Sequence, residues 1–116
     1  MKKIYHLATC DTCQKILKEV DAVKKKVELQ DIKTVAITPE QLDQMKKLAG
    51  SYEALFSRRA LKFRSMGLHE KTLQEADYRQ LILEEYTFLK RPVAIVGNEI
   101  FVGNTKAVTE ALKKAL

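Results

Sequence analysis

An α/β fold is predicted for this 116-residue chain. A strand–helix–strand unit comes first, helices fill the middle, and a strand–strand–helix unit closes the chain. Three observations predict this. Short β-prone runs occur near residues 3–7, 27–32 and 93–102, and none lies between residues 38 and 86. Helix-start signals recur through that middle stretch. The hydrophobic share, 46%, is enough for a core without disulfide staples at a length typical of one domain.

Taken in order, residues 3–7 read as a short buried strand. Asp11, with Gln14 three residues later, is the expected capping box of the first helix. Ile16, Leu17, Val20 and Val23 supply its apolar stripe. Residues 27–32 alternate apolar and polar, as a second strand does. A connection of this length favours a parallel pair. Thr38-Pro39-Glu40-Gln41 opens a helix with an N-cap, a proline in the first turn and a glutamine at the third position. Leu42, Met45 and Leu48 mark its inner face, and Gly50 stops it. Residues 51–67 are expected to form short helical turns. Thr72 and Glu75 suggest a further capping box, with Leu73, Ala76, Leu81 and Leu83 carrying a helix to about residue 86. The period then changes to a hairpin, residues 93–96 and 100–102 about Gly97-Asn98. A last helix follows Asn104, with Ala107, Val108, Ala111, Leu112 and Ala115 on one face. The βαβ and ββα parts are the two halves of a thioredoxin-like fold. Residues 1–37 and 87–116 would form its core, and residues 38–86 a helical insertion, within a single domain.

Charge and composition narrow the function classes. Lys and Arg number 21 against 15 Asp and Glu, a net charge of +6. Much of the excess is lysine at helix ends, where cations suit the negative end of the dipole. The aromatic-rich motifs of RNA-binding modules and the spacing of zinc fingers are absent, so no direct nucleic-acid contact is expected. No run approaches the length of a membrane span. The apolar stretch after Lys2-Lys3 is too short for a secretory signal, which makes a cytoplasmic location the expectation. There, a cysteine pair is more often redox-active or metal-binding than structural.

Cys10-Asp11-Thr12-Cys13 is the main chemical feature. It lies where the first strand hands over to the first helix. A thiol at a helix N-terminus faces unpaired N–H groups and the positive dipole end, which stabilise the reactive thiolate. Cys10 would be the more exposed and acidic thiol. Cys13, one turn inward, suits a resolving role, attacking a mixed disulfide on Cys10. An inert pair and a zinc site are the alternatives. Zinc usually takes four ligands, and only His6 and His69 could add imidazoles, so no metal is expected. The Arg91-Pro92 step is the second feature. A proline is tolerated at the start of a strand, and beside C-x-x-C in such a fold a cis peptide is expected.

Ala8-Thr9-Cys10-Asp11-Thr12-Cys13, Leu55-Phe56-Ser57-Arg58-Arg59, Leu89-Lys90-Arg91-Pro92-Val93 and Phe101-Val102-Gly103, in that order, resemble the arsenate reductase (ArsC)/Spx family. The resemblance runs over nearly the whole chain. It implies a thioredoxin-like fold with a helical insertion, a nucleophilic role for Cys10, and a place for Thr12 in the family's Cys-x-Thr motif. It also implies that Arg59 and Arg91 help hold an oxyanion beside the cysteine. Guanidinium groups suit tetrahedral oxyanions and lower a neighbouring thiol pKa. Three departures stand out. Val102-Gly103-Asn104 lacks the third arginine of arsenate-reducing members, Ser57-Arg58 replaces Asn-Thr, and Cys13 is present where those members have no second cysteine. The departures point toward reductase-like or Spx-like members that carry C-x-x-C.

Two functions are therefore expected to compete. One is a thiol oxidoreductase acting on an oxyanion or disulfide, without a bound cofactor and with glutathione, glutaredoxin or a thioredoxin-type protein as electron donor. The other is an Spx-like redox-sensing regulator whose cysteine pair switches binding to RNA polymerase.

Overall fold

The computed structural model describes all residues, 1–116. They divide into two compact units, Met1–Ala36 with Arg91–Leu116, and Ile37–Lys90.

The first unit holds strand β1 (Lys2–His6), helix α1 (Asp11–Glu19), strands β2 (Glu28–Asp31), β3 (Val93–Val96) and β4 (Glu99–Val102), and a C-terminal helix, Lys106–Ala115. The sheet order is β2-β1-β3-β4, with β1 parallel to β2 and the remaining pairs antiparallel. Ile4 pairs with Leu29 on one side and Ala94 on the other, so this register continues the apolar row across the sheet. Ile4 and Ala94 pack with Ile16, Leu17, Val20 and Leu112 in one buried cluster. Fully burying aliphatic side chains of this kind contributes roughly 1.5–3 kcal/mol each. This is the thioredoxin-like α/β arrangement of βαβ and ββα halves.

Local details differ from the sequence expectation for physical reasons. Cys10, not Asp11, is the N-cap of α1, with extended φ −94° and ψ 109°. The Gln14 side chain does not complete a capping box; its amide turns back to β1. The helix ends at Glu19, and Asp21 takes a left-handed φ of 55°. Val23 therefore leaves the apolar stripe and is 80% exposed. In the hairpin, Val96 faces Glu99 in the register and Gly97 supplies the positive φ (60°) that the two-residue turn requires. Thr105, rather than Asn104, caps the last helix, accepting from Val108 N–H at 3.2 Å. Its buried face is Thr109 and Leu112, whereas Ala107 and Ala111 are exposed.

The second unit is helical: α2 (Pro39–Ala49), α3 (Leu61–Ser65) and α4 (Glu75–Glu84), with single 3₁₀ turns at Glu53–Leu55, Leu68–Glu70 and Tyr86–Phe88. The C-terminal helix of the first unit is accordingly α5. The capping box of α2 forms as its sequence specifies: Thr38 Oγ1 accepts from Gln41 N–H at 3.1 Å, and Gln41 Oε1 accepts from Thr38 N–H at 3.1 Å. The start of α4 lies two residues later than Thr72 suggested, because Gln74 and Asp77 form the capping box. Its buried side chains are Tyr78 and Ile82. Phe56 centres this unit's aromatic core, stacking on Phe88 at 5.0 Å and lying 4.9 Å from Tyr78. A short antiparallel bridge joins Phe56 to Leu89, with Ser57 N–H donating to Phe88 O and Lys90 N–H to Leu55 O.

Candidate active site

The site begins where β1 ends. Cys10 N–H donates to Leu7 O at 3.0 Å, which closes the turn out of the strand. Cys10 O then accepts from Gln14 N–H at 3.1 Å, the first hydrogen bond of α1. The thiol of Cys10 thus sits at the mouth of the helix, partly exposed, while Cys13 is fully buried. Both cysteines are free thiols.

Their environments push them in opposite directions. Partial burial works against the Cys10 thiolate. It is outweighed by the N–H and thiol of Cys13, the positive charge of Arg91 and the N–H of Thr12, so Cys10 falls below its ordinary value of 9.0. Its side chain makes no capping hydrogen bond of ordinary geometry, so the stabilisation is a field of converging dipoles and charge rather than one strong bond. Cys13 is pushed up to about 11, first by burial and then by its thiol bond to Cys10 and the negative charge there. The N–H of Leu7 and the charge of Arg91 offset part of that rise.

Of the residues singled out in the sequence, Cys10, Cys13, Thr12, Arg91 and Pro92 all belong to the first unit. Thr12 is exposed, and it is its backbone N–H that acts on Cys10. Arg91 is half-buried, and its positive charge acts on both sulfurs. The Arg91–Pro92 peptide is cis. Pro92 O accepts from Gly103 N–H at 2.9 Å, tying the start of β3 to the end of β4. Arg59 belongs to the second unit, exposed on the segment between the Glu53–Leu55 turn and α3. Its neighbour Arg58 is built into that unit, paired with Glu53 and donating to the Tyr78 hydroxyl, both at 2.8 Å.

Two residues acquire a role that sequence reading missed. Gln14 Nε2 donates to Leu7 O at 3.1 Å and lies 3.3 Å from His6 Nδ1. An amide nitrogen can only donate, so Nδ1 accepts and the neutral ring carries its proton on Nε2. Burial holds His6 below its usual pKa, against the opposing pull of Asp31. The available signal was spacing, since Gln14 is one helical turn from Cys10 and on the same face. No three His, Cys, Asp or Glu side chains lie together as metal ligands would. No helix is long and apolar enough to cross a membrane.

Comparison with known proteins agrees with this layout. No curated protein matches the chain in sequence. Among solved structures, the YFFB protein is 28% identical with a TM-score of 0.78, covering 100% of this chain and 99% of that one. An arsenate reductase (ArsC) related protein from Brucella melitensis is 26% identical with a TM-score of 0.69, covering 95% and 92%. An arsenate reductase from Vibrio cholerae has a TM-score of 0.78 over 99% of this chain and 97% of that one, and at 13% identity the likeness is one of fold. The ArsC family model matches residues 5–112, from within β1 to the last turns of α5, and so takes in the whole thiol site: the chain belongs to the ArsC family.

Proposed function

We propose that this protein is a thiol-dependent reductase in which Cys10 is the nucleophile and Cys13 the resolving thiol. The carrying observation is the opposite displacement of the two thiols, with Cys10 lowered at the helix mouth and Cys13 raised to about 11 one turn inward. Membership of the ArsC family and likeness to arsenate-reductase-related structures support the reading.

The chemistry follows from the geometry. With a disulfide substrate RS–SR′, the Cys10 thiolate forms a bond to one sulfur, the S–S bond breaks, and R′S⁻ leaves with the electron pair and takes a proton from water. Cys10 is now a neutral disulfide sulfur, so its negative charge, a lesser cause after burial of the raised Cys13 value, is gone. Cys13 then releases its proton, bonds to Cys10 sulfur and expels RS⁻. The resulting Cys10–Cys13 disulfide returns to two thiols by accepting two electrons from two glutathione molecules or one dithiol protein such as thioredoxin or glutaredoxin. An oxyanion substrate would enter by the same first step, Cys10 sulfur displacing an oxygen ligand as water. Arg91 and the Thr12 N–H are the proposed anion-holding groups of the first unit. Arg59 is proposed as a further one, on the order of the family motifs.

The test is turnover of arsenate and of bis(2-hydroxyethyl) disulfide, with glutathione plus glutaredoxin or with thioredoxin supplied. The proposal expects reduction of at least one substrate and its loss in Cys10→Ser. No turnover of either with any donor overturns it.

A further inference from the structure

Beyond the thiol site, the first unit carries a groove of about 550 Å³ lined by His6, Leu17, Lys18, Ala22, Lys24 and Leu29 among others. That volume lies in the range of small-molecule sites. Its wall is mostly hydrocarbon, from Leu17, Ala22, Val23 and Leu29. Val23 and Leu29, both lining the groove, are 80% and 37% exposed.

Polar groups converge on it. His6 is 8% exposed, its ring lines the groove, and its Nδ1 is engaged by Gln14. Lys18 and Lys24 stand at the groove, and neither is among the residues that form ion pairs. Asp21 is the one acidic lining residue. The first unit as a whole has twelve Lys and Arg against seven Asp and Glu, +5 of the chain's +6. A histidine ring at the groove wall, two ammonium groups outside any ion pair and an apolar lining complement a ligand with an apolar body and one anionic head.

We propose that this groove binds a small amphiphilic organic anion, its apolar body against Leu17, Ala22, Val23 and Leu29 and its carboxylate or sulfonate between Lys18, Lys24 and His6. The anion replaces solvent at the lysines and accepts the Nε2–H of His6. The groove shares His6 and Gln14 with the surroundings of the thiol site, and neither cysteine lines it.

The probe is 1-anilinonaphthalene-8-sulfonate, with uncharged N-phenyl-1-naphthylamine as its comparison, titrated into the full-length reduced protein and followed by amide NMR shifts. Saturable one-to-one binding is expected, with shifts concentrated in residues 6, 14–24 and 29. The sulfonate should bind at least about tenfold tighter than the uncharged amine, and Lys18→Glu with Lys24→Glu should remove about that factor. Both lysines are exposed, so the double variant should keep its amide spectrum. Cys10→Ser should bind as the wild type does. Absent or non-saturable binding, shifts scattered over the fold, or equal affinity for the two probes would overturn the proposal.

Discussion

Cys10 stands partly exposed at the mouth of α1 and Cys13 lies fully buried one turn inward, and this difference in depth is the largest cause that keeps the Cys13 thiol protonated beside a lowered Cys10. Cys10 gains a donor that stabilises its thiolate, and Cys13 keeps its proton up to about 11. The division of labour needs no third side chain acting as base.

Removing each sulfur should therefore fail differently. Cys10→Ser is expected to bring disulfide reduction down to the uncatalysed background. Cys13→Ser should still react once and stop as a mixed disulfide on Cys10, visible by intact-mass spectrometry as the added thiol. Equal loss in both variants without a trapped adduct would contradict the assigned roles.

Arg91 should act on rate through the thiolate. Its charge is among the causes that lower Cys10. Arg91→Ala is expected to raise the Cys10 pKa and slow its alkylation several-fold at pH 7, with the deficit closing above pH 9, where the thiolate forms anyway. Arg91→Lys should recover part of the shift, because it restores the charge without the planar fork. A pH-independent deficit in alkylation would point to altered access instead.

The thiols also link stability to pH, with opposite signs. Cys10 is lowered in the folded state, so its contribution is in place above the unfolded value near 9.0 and is lost as pH falls through the folded value. Cys13 is raised, so its contribution is in place below about 9 and is lost as pH climbs from about 9 toward about 11. Urea unfolding of the reduced protein across that alkaline window should show a steeper fall for wild type than for Cys13→Ala. Parallel curves would contradict the buried, protonated state of Cys13.

In the second unit, two substitutions probe the framework. Thr38→Ala removes one half of the α2 capping box and should cost about 1 kcal/mol. Phe56→Ala empties the centre of the aromatic cluster and should cost roughly 3–5 kcal/mol. Chemical denaturation measures both, and a Phe56→Ala cost below that of Thr38→Ala would contradict the packing described.

The sequence was most legible where local chemistry decides. Thr38-Pro39-Glu40-Gln41 satisfies its own backbone groups, so that helix start could be read directly. The Gly97-Asn98 turn was legible for the same reason, whereas residues 27–32 showed a strand by their alternation although Leu29 is exposed and Gln30 buried. Elsewhere, tertiary demands overrode local pattern. Val23 fits a helical stripe, yet the chain must leave α1 at Glu19 to reach the parallel strand β2, and Asp21 turns it away. Gln14 fits a capping box, but the buried imidazole of His6 and the Leu7 carbonyl at the end of β1 take its amide instead. Spacing exposed the thiol pair at once. Its polarity was legible too, from the place of Cys10 at the helix start with Cys13 one turn inward, and the structure adds the depth: Cys13 fully buried and Cys10 partly exposed.

The central claim is tested most directly by titrating both thiols in the reduced protein, following alkylation of each cysteine against pH by peptide mass spectrometry. The account predicts Cys10 titrating below its ordinary value and Cys13 near 11. Two thiols titrating together near 9 would contradict it.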